Sequence, residues 1–231
     1  MGAIQPRPAK ELFYDTIADR FDAVMNPYDR DRRLALVFDE YLGGHALSGQ
    51  TLLDIGCGTG WFAARATARQ AHVTGLDVSI RLLEKTREKS YATLIAGDAC
   101  RLPFSREAFD IVVSSECIEH TQDPLLAVRE MCRVLRIGGT LVLTVPNRIW
   151  RWSATVAEVF KLRPYEGLEN WVWWWQLRHA LKAQGLRIVR MDGFHLFPPV
   201  VRPTWPVLRR LDRLGRVIGP VMLNMAVKAT K

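Results

Sequence analysis

Short, almost wholly apolar runs alternate with longer amphipathic ones through the middle of the chain. Thr51–Ile55 is the first such run and ends in glycines, and the stretch after it predicts a helix through Arg69. The rhythm repeats: strands are predicted at His72–Asp77, 92–96, 109–114 and 139–145, with helices over 79–90 and 124–135. Ahead of this block, 9–25 and 29–42 read as two helices broken at Asn26-Pro27. Behind it, a helix is expected over 171–184, then strands at 186–192 and 221–229. Strands that alternate with helical stretches argue a doubly wound α/β fold, a parallel sheet with helices on both faces.

With 231 residues the chain is long enough for one domain with a substantial core. It divides into a helical lid over 1–45, a central core over 46–148, and an acceptor-side region with the last strands over 149–231. Hydrophobic residues make up 48% and charged residues 24%, which excludes fibrous and wholly disordered readings. No apolar run is long enough to span a bilayer. The opening Met-Gly-Ala-Ile-Gln-Pro has neither an export pattern nor the Ser/Thr of a myristoylation site, so no leader or lipid anchor is expected. Cys57, Cys100, Cys117 and Cys132 show no metal or disulfide spacing and read as reduced thiols, so a cytoplasmic location is expected.

Charge changes the picture of the last third. The net charge is +8, yet from Leu196 onward there are seven basic residues and one acid, Asp212. Seven of the eight tryptophans also lie at or beyond residue 150. The end of the chain reads as a contact region on an ordinary scaffold.

Chemistry concentrates at the predicted strand ends. Asp54-Ile55-Gly56-Cys57-Gly58-Thr59-Gly60 closes the first strand and opens a helix, the crevice where open α/β sheets bind ligands. Glycines there permit positive φ and close approach of a ligand to the backbone. The dinucleotide fingerprint G-x-G-x-x-G fails, because its third glycine would fall on Trp61. Asp77 ends the second strand, where an acid can accept hydrogen bonds from both ribose hydroxyls. Asp98 ends the third, placed to accept from an adenine amine, although it could equally cap a helix. Together the acids outline an adenosine site without a phosphate.

The pieces LLDIGCGTG, VTGLDVS, GDACRLPF, FDIVVSSECIEH and CRVLRIGGTLVLTVPN, in this order, resemble the Rossmann-like (class I) S-adenosylmethionine-dependent methyltransferases. The resemblance implies a seven-stranded sheet with its last strand antiparallel, a role that 221–229 suits. It implies that Asp54 with Gly56, Gly58 and Gly60 holds the methionine end of the cofactor, Asp77 the ribose and Asp98 the adenine. Cys57, Val78, Ala99 and Ser115, in the same pieces, belong to the implied cofactor site, with Cys57 also readable as a small packing residue. Tyr14 resembles the aromatic that such enzymes fold over the cofactor as a lid.

Glu116-Cys117-Ile118-Glu119-His120 follows the fourth strand on the expected transfer side. Its spacing puts Glu116, Glu119 and His120 on one side of a turn, where they could hold a hard divalent ion such as Mg2+. Alternatively His120 is a general base, or Glu119 and His120 pair with the next helix. The pattern E-x-x-E-H resembles ubiquinone-biosynthesis O-methyltransferases and small-RNA 3′-end methyltransferases; in the latter a second histidine completes a magnesium site. Where related chains carry Glu-His, this one has Glu169-Asn170, and His179 and His195 fall off that position. Base or orienter is therefore preferred over metal ligand. His45 and His72 read as isolated surface or core residues.

The acceptor is addressed by the C-terminal third. On a helix, Trp171-Val172-Trp173-Trp174-Trp175 would cover every direction, leaving an indole for a pocket, a partner or a bilayer. Over 204–218, Val207, Leu208, Leu211, Leu214 and Ile218 form one helical stripe, with Arg209, Arg210, Arg213 and Arg216 on the rest. A solvated basic face is the plain reading; with Trp205 beside it, peripheral contact with an anionic membrane is the alternative. No RNA-binding module is recognisable, so nucleic acid ranks below lipid-like or prenylated aromatic acceptors and below polar small molecules or sugars. The expected reaction is O-methylation of a phenolic, quinol or lipid-like acceptor, with a polar metabolite, a sugar or an RNA 3′ end as alternatives. A catalytically silent cofactor-binding subunit is the non-enzymatic alternative, which the intact glycine loop, Asp77 and the Glu/His cluster oppose. No oligomeric state is legible.

Overall fold

The structure is a computed structural model and describes residues 13–159, 167–199 and 201–231. Seven strands form its sheet: β1 (Thr51–Ile55), β2 (His72–Asp77), β3 (Thr93–Ala96), β4 (Phe109–Ser115), β5 (Leu135–Pro146), β6 (Arg187–Phe194) and β7 (Asn224–Thr230). Their order is β3-β2-β1-β4-β5-β7-β6. The first five run parallel, and β7 lies antiparallel between β5 and β6. The expected doubly wound sheet with an antiparallel last strand is therefore present.

Helices α1 (Phe13–Ile17), α2 (Phe21–Val24), α3 (Pro27–Leu34), α4 (Trp61–Ala68), α5 (Ile80–Lys89), α6 (Pro124–Val134), α7 (Arg151–Val159), α8 (Trp174–Ala183), α9 (Trp205–Leu211) and α10 (Gly215–Ile218) are the α-helices among the described residues. Alternating strand residues feed two cores, one on each side of the sheet. Leu53, Val112 and Leu143 pack against Val128 and Met131 of α6 and Leu177 and Leu181 of α8. Leu52, Ile111 and Val142 pack on the other face against Phe38, Tyr41, Ala63 and Ala66. The switch in strand order between β1 and β4 opens a crevice at their carboxyl ends.

Local chemistry sets the helix starts. Asn26 Oδ1 accepts from the amides of Tyr28 and Asp29 at 3.0 and 3.4 Å, with Pro27 as first residue of α3. Asp123 and Pro124 do the same for α6, and the Ser79 hydroxyl caps α5.

Several boundaries differ from those predicted. Residues 9–12 of the expected first helix lie outside the described residues; the rest is α1, a 3-10 turn and α2, stopped by Met25 in an extended conformation. The second helix continues past α3 as a π-helix over Ala35–Tyr41, which buries Leu36, Val37, Phe38 and Tyr41. Helix α8 starts only at Trp174, because Val172 runs extended and bridges to Asn147. The continuous stripe expected over 204–218 is broken into α9, a 3-10 turn and α10.

Candidate active site

The crevice holds a cavity of about 870 Å3. Its floor is the loop after β1. Gly56, Gly58 and Gly60 stand at φ +70°, +56° and +88°, a region that side-chain-bearing residues avoid. A Cβ on Gly56 would collide with the Cys117 side chain, and one on Gly60 with Thr86 of α5. Gly56 and Gly58 line the cavity, whereas Gly60 is a helix-packing position.

Asp77 braces this loop. Its Oδ2 accepts from the Gly58 amide and its Oδ1 from the Ser79 amide, both at 2.9 Å. Burial raises its pKa, against the pull of those backbone bonds. Asp77, Val78, Asp98, Ala99, Cys57 and Ser115 all line the cavity. Asp98 is exposed, and its carboxylate accepts from the Cys100 amide at 2.8 Å within a turn; no helix starts there, so it is not a helix cap. Burial pushes the Cys57 and Cys117 thiols well up, so both are neutral wall groups.

Asp54 does not line the cavity. It is buried beneath the glycine loop, where it accepts from the Ala63 amide in the first turn of α4, and its Oδ2 has no hydrogen-bond partner. Burial, and then the charge of Asp77, push it up to about 7. An unfolded aspartate ionises near pH 4, so between about pH 4 and 7 the folded chain holds the extra proton. This contribution makes stability fall as pH rises through that window and level off above it. Asp54→Asn is expected to flatten the fall, read as urea midpoints across the window; parallel curves for the two proteins would refute the assignment.

The second wall comes from the N-terminal helices. Phe13, Tyr14, Ile17, Phe21, Val24 and Met25 give it a mostly apolar face. Acids on the same segment tie it to the strand ends. Asp22 accepts from Thr59 Oγ1 at 2.6 Å and Trp61 Nε1 at 3.0 Å and pairs with Lys89, while Asp15 accepts from the Ser79 hydroxyl and Asp19 pairs with Arg81. Tyr14 meets Phe21 and His120 edge-on, at centroid distances of 5.8 and 5.2 Å. Tyr14 thus joins the apolar wall to the His120 end of the cavity.

At that far end a 3-10 turn, Ile118–His120, follows β4. His120 Nδ1 lies 2.9 Å from the Leu168 carbonyl, which can only accept, so Nδ1 carries the proton and Nε2 keeps its lone pair in the neutral ring. Glu119 Oε1 is 3.7 Å from Nε2, beyond hydrogen bonding. Glu116 sits at φ +51° and lines the cavity; burial pushes its carboxyl up to about 7 despite Arg33. Glu119 is buried, and burial followed by Glu116 raises it well above the usual carboxyl range.

The metal alternative is corrected here. Among the described residues no group of three or more His, Cys, Asp or Glu side chains is arranged to hold a metal ion. The cation that Glu116 and Glu119 face is the guanidinium of Arg33. Sequence reasoning missed this residue. Arg33 is buried at the cavity wall, its Nη2 2.6 Å from Asp29 Oδ2 and its Nη1 3.4 Å from the Ser115 hydroxyl. Asp29 Oδ1 in turn lies 3.1 Å from Nε2 of His195, which is fully buried. Burial pushes the Asp29 carboxyl up, but Arg33 and His195 outweigh it and hold it below its ordinary value.

The basic stripe is corrected as well. Arg209, Arg213 and Arg216 border a second cavity of about 760 Å3 together with Asp31, Glu40, Asp192 and Asp212. Arg209 lies over the Tyr28 ring at 5.5 Å, and Arg216 pairs with Asp192 at 3.5 Å. These arginines face acids and an aromatic across a pocket, and do not form one open basic face.

Comparison with known proteins agrees with this geometry. The family described as a methyltransferase domain matches residues 53–143. The 2-methyl-6-phytyl-1,4-hydroquinone methyltransferase 2 (chloroplastic) of Oryza sativa subsp. japonica is 34% identical over 226 residues, covering 94% of this chain and 59% of that protein. The demethylmenaquinone methyltransferase of Thermobifida fusca is 33% identical over 150 residues, 60% of this chain and 61% of that one. The chain thus spans about three-fifths of the length of these relatives. Magnesium protoporphyrin IX methyltransferase from Synechocystis PCC 6803, solved with bound SAH, superposes with a TM-score of 0.69 at 16% identity, covering 96% of this chain and 97% of that one. Residues 53–143 thus form a methyltransferase domain, on the fold of the class I S-adenosylmethionine-dependent methyltransferases.

Proposed function

We propose that the chain transfers the methyl group of S-adenosylmethionine to an oxygen of a small phenolic, quinol or lipid-like acceptor. One observation carries the reading: the glycine loop, Asp77 and Asp98 share a single cavity with His120, under one mostly apolar lid. The residues fit the cofactor, since the left-handed Gly56 and Gly58 clear the floor and Asp77 and Asp98, at and just past the ends of β2 and β3, line the same cavity as an adenosine site requires. When bound, the cofactor supplies a methyl group already activated on a sulfonium sulfur.

The chain's own residues then have three tasks. Asp77 and the glycine loop orient the donor end, so that the acceptor's lone pair meets the methyl in line. Phe13, Ile17, Phe21 and Val24 exclude water from that approach. His120 Nε2 takes the proton from an acceptor hydroxyl that is a poor nucleophile at neutral pH, and the Glu116–Glu119–Arg33 group sets the charge around it. The two relatives whose names specify a phytyl hydroquinone and a demethylmenaquinone support an aromatic acceptor with an apolar tail.

The test is transfer of labelled methyl to a panel: simple phenols, quinols with and without an isoprenoid chain, sugars, and RNA with a free 3′ end. Label in quinols or phenols, with tailed quinols preferred, is the expected result. Label confined to RNA or sugars would replace the acceptor, and cofactor binding without any transfer would turn the chain into a silent subunit.

A further inference from the structure

Three segments converge beyond the end of β5. Asn147 bridges to Val172 and donates from Nδ2 to the Pro220 carbonyl at 2.8 Å, and Trp150 Nε1 donates to the Val221 carbonyl at 2.9 Å. The Arg148 amide donates to Val172, its guanidinium lies 5.8 Å from the Trp173 ring centroid, and the Trp174 ring abuts Gly219. The same segment reaches the proposed transfer site, because the Asn170 amide donates to the Glu119 carbonyl at 2.6 Å and Leu168 holds His120.

Large apolar side chains stand exposed on this edge. Trp152 and Trp175 are each 61% accessible and Val217 80%, with Ile149, Val156 and Val221 also exposed. Trp152 stacks on Trp150 and Trp175 on Trp173, which stiffens both indoles. Arg148, Arg178 and Lys182 stand exposed on these segments, while Arg151 pairs with Glu158 and Glu169 and Arg216 with Asp192. On α8, Trp175, Arg178 and Lys182 follow at helical spacing and are all exposed.

We infer that this edge is a docking surface for an anionic lipid bilayer, on which Trp152 and Trp175 insert at the headgroup level. Indoles suit that level because one end is apolar and the other can donate a hydrogen bond. The exposed Arg148, Arg178 and Lys182 repel a second copy of the same surface and attract anionic headgroups. Among the described residues no helix is long and apolar enough to cross a membrane, so the contact is interfacial. Its purpose rests on the lipid-like acceptor proposed above, since the docked edge would present the His120 end of the cavity to the bilayer; its geometry does not.

The test is co-sedimentation of the whole chain with vesicles of phosphatidylglycerol and phosphatidylcholine, and with phosphatidylcholine alone. The wild type is expected to pellet with anionic vesicles, less at high salt, and to show tryptophan quenching by brominated lipid. Trp152→Ala with Trp175→Ala is expected to weaken partitioning at least tenfold, while transfer to a short-chain soluble quinol is unchanged. Absence of pelleting at low salt, equal pelleting of the two proteins, or binding without quenching would overturn the docking surface. Methyl transfer without vesicle binding refutes only this inference; vesicle binding without transfer to any quinol refutes only the proposed acceptor.

Discussion

Replacing His120 by alanine is expected to slow methyl transfer by about 10²–10⁴-fold while leaving cofactor affinity essentially unchanged. The ring is positioned for this from three sides: Leu168 fixes its Nδ1 proton, Tyr14 packs edge-on against it, and Glu119 lies beside Nε2. Only the Nε2 lone pair is then available to take a proton. A phenol has a pKa near 10, so without a base the reactive phenolate is scarce at neutral pH. The loss should therefore shrink as pH rises toward that value, because the acceptor begins to ionise unaided. Rates for wild type and variant across pH check this. An unchanged rate removes His120 from the chemistry. A simultaneous collapse of rate and cofactor binding would make it structural.

Arg33→Met should cost about 3–5 kcal/mol of stability, the range expected when one partner of a buried ion pair is removed. The guanidinium is buried against Asp29, Glu116 and Glu119, and its loss leaves three enclosed acids without their cation. Those acids can be relieved by protonation, so the deficit should be larger at pH 8 than at pH 5. Adding Asp29→Asn removes one of the stranded charges and should recover part of the loss. Urea unfolding of the three proteins at both pH values reads each term. A deficit under about 1 kcal/mol that is flat with pH would show that Arg33 is not the counter-ion of this cluster.

Much of the fold was legible because its signals are local. Thr51–Ile55 and His72–Asp77 are short apolar runs closed by glycine or acid, and Asn26-Pro27 and Asp123-Pro124 announce helix starts. The cavity wall was legible for the same reason: Gly56, Gly58, Asp77, Asp98 and His120 each end or follow a strand at the switch point of the sheet. Asp54 and Gly60 belong to the same motif but turn inward, to α4 and to Thr86, a distinction that motif spacing does not carry. The Asp29–Arg33–His195 chain joins residues that sequence separation hides; only the i,i+4 charge pair on α3, placed before the wholly buried stretch Leu36–Phe38, hinted at it. The arginines of 204–218 misled because helical periodicity was extended through residues 212–214, where the backbone tightens to a 3-10 turn and rotates Arg213 and Arg216 toward the acids of the second cavity. Trp171 and Val172 misled in the opposite way. They are buried in an extended bridge beside β5, which leaves Trp175 as the exposed indole of that run.

The central claim is that the strand-end cavity is the cofactor site, and calorimetric titration with S-adenosylhomocysteine tests it most directly. The wild type should bind one equivalent per chain. Asp77→Ala should bind roughly 5- to 150-fold more weakly, because it removes the expected ribose acceptor and the brace on the Gly58 amide together. No binding by the wild type, or equal affinity in the two proteins, would contradict the account.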